Sequence, residues 1–201
     1  KLKRLTLYSL VFFYFMLTAQ IAQAQKPKII VLGADEATWV TDVKTKIAAT
    51  GSIETVDHFD VTQGTPTLSF LNNYSAAIFW TDNTPRDPNA MGNVLADFID
   101  AGGGVVMSTF ATGGYGMGGR FNTAPYWVIQ PSSYTNGPAL QLGTVLVPNH
   151  PVMQGVTSFK GGSSSYRGTS TTFTAGSVPV ANWSNGSPLV VVKENVGASG
   201  A

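Results

Sequence analysis

The chain has 201 residues, of which 43% are hydrophobic and 11% charged, with no cysteine and a formal net charge of +1. This length suits one domain with extensions, and the hydrophobic share excludes a wholly disordered chain. A charge near zero excludes a strongly basic nucleic-acid binder, and the lack of Cys excludes disulfides, thiolate metal sites and a cysteine nucleophile.

The first 24 residues differ from the rest. Lys1, Lys3 and Arg4 make a basic start, and Leu5 to Ala19 is mostly apolar around Val11-Phe12-Phe13-Tyr14-Phe15-Met16-Leu17. Ala22-Gln23-Ala24 then supplies a small-x-small cleavage site, so residues 1–24 read as a secretory signal peptide. The apolar run is shorter than the roughly 20 residues of a spanning helix, so no stable membrane insertion is expected after cleavage. The expected location is the periplasm, the cell surface or the medium of a bacterium. Cleavage would leave nine basic against eleven acidic residues, a net of −2. The start on Lys1 and the end on Gly197-Ala198-Ser199-Gly200-Ala201 read as cuts in a longer reading frame. Residues 25–201 are expected to form one α/β domain, truncated at its C-terminus.

Lys28-Ile29-Ile30-Val31-Leu32-Gly33 is a continuous apolar run, the pattern of a strand buried on both faces of a parallel sheet. Asp35 stands where it can cap the next helix, in which Trp39, Val40, Val43, Ile47 and Ala48 recur at helical spacing before Gly51. Val56–Val61 reads as a second strand, Leu68–Leu71 as a helical turn, and Ala76–Trp80 as a third, buried strand. Asn89–Ala101 is the clearest helix, with Met91, Val94, Leu95, Phe98 and Ile99 in one stripe and Gly102-Gly103-Gly104 as its stop. Val105–Phe110 is a fourth strand. This order predicts an α/β fold: a flavodoxin-like parallel sheet with flanking helices.

After Phe110 the composition turns to Gly, Ser, Thr, Asn and Pro, and no second strong helix is predicted. Trp127–Ile129, Gly143–Val147, Val178–Trp183 and Leu189–Val192 are short strand candidates separated by turn residues such as Asn136-Gly137-Pro138 and Asn185-Gly186. This stretch reads as a β-rich excursion in the C-terminal half of the same domain.

Three segments carry a family resemblance. Leu71–Asp82 resembles the "L-x-x-Y-D-A-V-V-V-W-x-D" strand of class I glutamine amidotransferase-like domains, including the ThuA-like branch. Leu95–Val106 resembles their following "L-x-x-Y-V-x-x-G-G-G-V-V" helix and strand, and His150-Pro151-Val152-Met153-Gln154-Gly155-Val156 their "H-P-I-x-x-G-V" element. The matches lie in family order and span Lys28 to about Val192. In the active enzymes the fourth strand ends in an elbow that presents a Cys, with a nearby His and backbone oxyanion donors. Here Phe110 falls at the Cys position, and His150 is followed by Pro151 and Val152 instead of the His-x-Glu pattern. The resemblance therefore implies a domain unable to hydrolyse glutamine. The ThuA-like pattern has His one position before the elbow, where this chain has Thr109.

Ser108 and Thr109 flank the elbow and read more simply as strand residues, since a serine triad needs a His and a carboxylate in reach. Only His58 and His150 exist. His58, in Asp57-His58-Phe59-Asp60, reads as a strand end or edge, and His150, before Pro, as a turn cap. Asp35, Glu36, Asp82, Asp87 and His150 are the metal-ligating candidates at the C-terminal sheet edge, where open α/β sheets bind ligands; for the acids, helix and loop capping is the simpler role. Gly113–Arg120 lacks the strand-before, helix-after context of a dinucleotide loop. It reads as a mobile loop over the sheet edge with Arg120 reaching back to an anion.

Trp80, Tyr115, Tyr126, Trp127, Tyr134, Tyr166 and Trp183 stand in a charge-poor context, where each either stacks on a sugar or packs under a loop. The leading expectation is a non-catalytic binding or interaction domain of a larger exported protein. Its crevice is rimmed by Asp35, Asp82, Phe110, Arg120 and His150, needs no cofactor, and takes a carbohydrate or another domain of the same polypeptide. The alternative is a ThuA-like enzyme acting on sugars through His150 and acidic residues.

Overall fold

A computed structural model describes residues 25–113, 116–123 and 126–198. The expected signal peptide lies outside the described residues. The first half runs β1 (Lys28–Ala34), α1 (Ala37–Ala49), β2 (Thr55–Asp60), α2 (Leu68–Leu71), β3 (Ala76–Thr81), α3 (Pro88–Asp100) and β4 (Gly104–Met107). The four strands form one parallel sheet in the order β2-β1-β3-β4. The protein has the α/β, flavodoxin-like sheet with flanking helices that its apolar runs predict.

Register sorts the strand residues into two faces. Ile30, Leu32, Ala34, Ala77 and Phe79 point to one side and are fully buried. They meet Met91, Val94, Leu95, Phe98 and Ile99, the predicted stripe of α3. This helix starts where its sequence dictates. The Asp87 carboxylate accepts from the N–H groups of Asn89 and Ala90, at 3.0 and 2.9 Å, and Pro88 occupies the first turn, where its missing N–H costs nothing. It ends at Ala101, followed by Gly102 at φ 99°, a conformation that glycine takes without a Cβ penalty.

α1 lies on the other face, over β1, where Val31 is fully buried and Val40 is the helix's buried residue. Two expectations fail here. Glu36, not Asp35, is the N-cap, and no side chain caps the helix. Trp39 is 61% exposed, because one residue is 100° of helix and Val40 already faces the sheet.

β4 is shorter than the expected Val105–Phe110. Ladder contact persists, with Ser108 N–H on Phe79 O at 2.9 Å, but the chain then turns into a 3₁₀ turn at Ala111–Gly113. A short helix, α4 (Gly119–Thr123), follows. The glycine-rich run around it is packed, not loose. Gly118 lies so close to α3 that a Cβ on Gly92 would stand 2.0 Å from the Gly118 carbonyl oxygen. Gly119 and Arg120 donate their N–H groups to Asn89 and Asn93 of α3, at 3.0 and 2.8 Å.

The remaining strands are antiparallel: β5 (Tyr134–Thr135) with β7 (Arg167–Gly168), and β6 (Leu142–Val145) with β8 (Val178–Trp183) and β9 (Pro188–Val192). Met153, Val180 and Ala181 form a second, smaller apolar cluster there. Trp127–Ile129 is not a strand; only Ile129 bridges, to Phe173. Trp127 is instead part of the first core, ring-on-edge with Phe121 at 5.0 Å. Among the described residues no helix is long and apolar enough to cross a membrane.

Candidate functional site

The carboxyl ends of β1, β3 and β4 lie side by side, and the chain there folds into a shelf. Asp82 N–H donates to Ala34 O at 2.9 Å, and Phe110 N–H to Thr81 O at 3.2 Å. These bonds bring Asp35, Asp82 and Phe110 to one edge. The Asp35 carboxylate accepts from Trp80 Nε1 at 2.9 Å and from Glu36 N–H at 2.7 Å, so it fixes the Trp80 ring. Asp82 is exposed.

Phe110 is the centre of an aromatic cluster. Its ring meets Tyr134 at 4.8 Å and Tyr166 at 5.0 Å between centroids, both edge-on, and the two tyrosines are 6.1 Å apart. Tyr134 is 39% exposed and Tyr166 43%, whereas Phe110 is half-buried. Edge-to-face contact at these distances is mutually attractive, and both tyrosines keep part of their surface in solvent. Rings this close enclose no space for a cation between them, so the cluster is a platform and not an aromatic cage.

β5 and β7 hold this platform. Tyr134 pairs with Gly168 and Thr135 with Arg167, so the Arg167 side chain leaves the sheet on the opposite side from Tyr134. Arg167 donates to Ser165 O at 3.1 Å. Around the rings stand hydroxyls: Thr169 Oγ1 donates to Ser132 Oγ at 3.1 Å, and Ser132 N–H bonds Thr112 O at 3.1 Å. The rings themselves are uncharged, with hydroxyls of Ser132 and Thr169 beside β5 and β7 and the exposed Asp82 at the same sheet edge as Phe110.

Arg120 and His150 are engaged in other contacts. Arg120 does not rim the sheet edge. Its guanidinium binds the carboxylates of Asp97 and Asp100 and the Tyr126 hydroxyl, at the far end of α3. Those hydrogen bonds, Tyr126 first and then Asp100, hold it charged beyond the ordinary arginine range. Asp100 is held below the usual carboxylate range, first by the Ala198 N–H at 2.9 Å and then by Tyr126 and Arg120, against the opposing effect of burial. His150 caps the 3₁₀ turn Pro151–Met153: its Nδ1 accepts from Val152 N–H at 3.2 Å, and its backbone bonds Val147 and Met153. Among the described residues its hydrogen bonds run to backbone groups of the same turn and include no carboxylate. Among the described residues no group of three or more His, Asp or Glu comes together to hold a metal ion. Asp87, a metal candidate in the sequence, is the α3 cap.

The other aromatic candidates divide by burial. Tyr126, Trp127 and Trp183 are 5–8% exposed and belong to packing; Tyr115 lies outside the described residues. His58 sits on the edge strand β2 with its Nε2 buried and without a partner among the described residues. A cleft lined by Asn72, Tyr74, Ser75, Phe98 and Ala101–Gly103 opens at the opposite sheet edge. There the Tyr74 hydroxyl donates to Asp57 at 3.0 Å, and burial with that carboxylate raises its pKa.

No family model matches this chain, and no curated protein or solved structure is significantly similar to it.

Proposed function

We propose that the protein is a non-catalytic binding domain of an exported bacterial protein, and that its ligand is a carbohydrate stacked on Tyr134 and Tyr166. The observation that carries this reading is the exposed aromatic platform around Phe110 at the carboxyl edge of the sheet. A pyranose presents a face of C–H bonds, slightly positive, to the negative face of an aromatic ring. Its hydroxyls then meet those of Ser132 and Thr169. The uncharged rings favour a neutral ligand over an anionic one.

A degenerate amidotransferase-like domain of the ThuA-like kind accounts for the position of Phe110. Where such a domain would hold a nucleophile, this chain holds an apolar ring that supports two tyrosines. With His150 occupied as a cap, a binding role is favoured over sugar turnover.

Glycan-array screening followed by titration calorimetry tests the reading. The best-binding glycan should lose roughly tenfold in affinity on Tyr166→Ala, the order of one lost ring stack with its buried area. Tyr134→Ala should act similarly, with an unchanged circular dichroism spectrum. Failure of any neutral glycan to bind at millimolar concentration, or binding by both variants as tight as by the parent protein, would sink it.

A further inference from the structure

The sheet face opposite α3 is half covered. α1 lies over β1, with Val40 Cγ2 3.0 Å from the point where a Cβ on Gly33 would stand. The same face continues across β3 and β4, because Val31 pairs with Ile78, Ile78 with Val106, and Gly33 with Trp80. No described helix covers that continuation. Val106 is 54% exposed, Ile78 and Trp80 are half-buried, and the flanking Gly104 and Ser108 are exposed. Beside the strip, Trp39 projects from α1 at 61% exposure. Parallel sheets normally have both faces covered, and such a strip of apolar side chains marks a contact surface.

The strip is two strands wide, about 10 Å, which is the width of one helix. The outer surface of α1 suits it. Ala37, Thr38, Thr41, Thr45, Ala48 and Ala49 are small and exposed. Asp42 and Lys46 neutralise each other at 2.6 Å. The strip itself carries no charge: from Ala101 to Thr112 there is no Lys, Arg, Asp, Glu or His. A covered half with a helix and a bare half of matching width make the face complementary to itself.

We propose that two copies of this chain associate through this face about a twofold axis, α1 of each filling the strip over β3 and β4 of the other. Such an isologous contact buries Trp39 and Val106 of both copies and makes a layer of two helices between two sheets. A strip about 20 Å long and an α1 face of similar size give roughly 400–500 Å² per copy. That is below the roughly 800 Å² per partner of a standard stable complex, so the association is a weak and reversible one.

Sedimentation velocity of the purified protein from about 1 to 200 μM tests this, a range that reaches weak association. The mass should rise from one chain to two across that range. Val106→Asp and Trp39→Asp should each move the midpoint at least tenfold upward, with the melting temperature retained, since each places a charge in an apolar contact. If Val106→Asp fails to fold, Trp39→Asp on the helix surface decides alone. A single-chain mass throughout, or an unchanged midpoint in the folded variants, overturns the proposal; the former is the result expected if a different domain covers the strip.

Discussion

Replacing Gly92 by alanine isolates the joint that takes Arg120 away from the sheet edge. In an exposed helix interior this change stabilises by about 1 kcal/mol, because alanine is the better helix former. Here the added Cβ would stand 2.0 Å from Gly118 O and 2.8 Å from its carbonyl carbon, inside the 3.0 Å that real Cβ contacts respect. Neither atom is a flexible side chain that can swing away, so the segment from Gly118 to Phe121 must lift from α3. Lifting it breaks the two bonds from Gly119 and Arg120 to Asn89 and Asn93, about 1 kcal/mol each. It also exposes part of Phe121, now 1% exposed, worth about 2 kcal/mol. After the propensity gain, the net loss is about 3 kcal/mol, or a fall in Tm of about 6–12 °C for a domain of this size. Urea unfolding followed by tryptophan fluorescence reads it. Gly64→Ala is the control: the nearest atom to its Cβ is Phe59 Cζ at 3.8 Å, and its effect should stay within about 1 kcal/mol. A Gly92→Ala protein more stable than the parent would refute the packed joint.

Other changes probe the remaining elements. Arg120→Gln should destabilise by about 1 kcal/mol, since its pairs are partly exposed, while glycan affinity measured by calorimetry stays unchanged. Asp100, with its lowered folded pKa, contributes stability that is present above the ordinary carboxylate value and lost as pH falls through the lowered one. Acid unfolding of Arg120→Gln should therefore begin at higher pH than in the parent, by part of the shift only, because Ala198 still donates to Asp100. His150→Ala should cost about 1 kcal/mol in thermal unfolding, the loss of a cap, and leave glycan binding intact. Mass spectrometry of the exported protein should find Gln25 as its first residue; an intact basic start would contradict cleavage at Ala24.

The parallel sheet is legible because its signals are local and redundant. The apolar run at Lys28–Gly33 predicts a doubly buried strand, and the stripe from Met91 to Ile99 with three glycines after it predicts the core helix; each stands within a residue of its expected bounds. The platform was only half legible. Phe110 stands out only through a resemblance, as the residue at the end of the fourth strand, and nothing in the sequence separates Tyr134 and Tyr166, which stay exposed, from Trp127 and Trp183, which do not. That distinction depends on the antiparallel pairing of β5 with β7, two residues each, too short to carry a periodic signal. Arg120 misleads for a related reason. A basic residue after a glycine run looks free to reach a ligand, yet Asn93, which accepts from its backbone N–H, lies 27 positions earlier in the chain, and Asn89, which accepts from Gly119, lies 30 before that glycine.

The meeting of Asp97, Asp100, Arg120, Tyr126 and Ala198 also bears on how fast the molecule comes apart. It ties together points as many as 98 residues distant along the chain. If the Asp100–Ala198 contact, which closes the longest of these loops, forms after the folding barrier is crossed, it acts on unfolding alone. Strengthening or weakening it would then change the unfolding rate and leave the folding rate nearly alone. Wherever a protease cleaves the open form faster than it recloses, that rate sets the lifetime of the molecule.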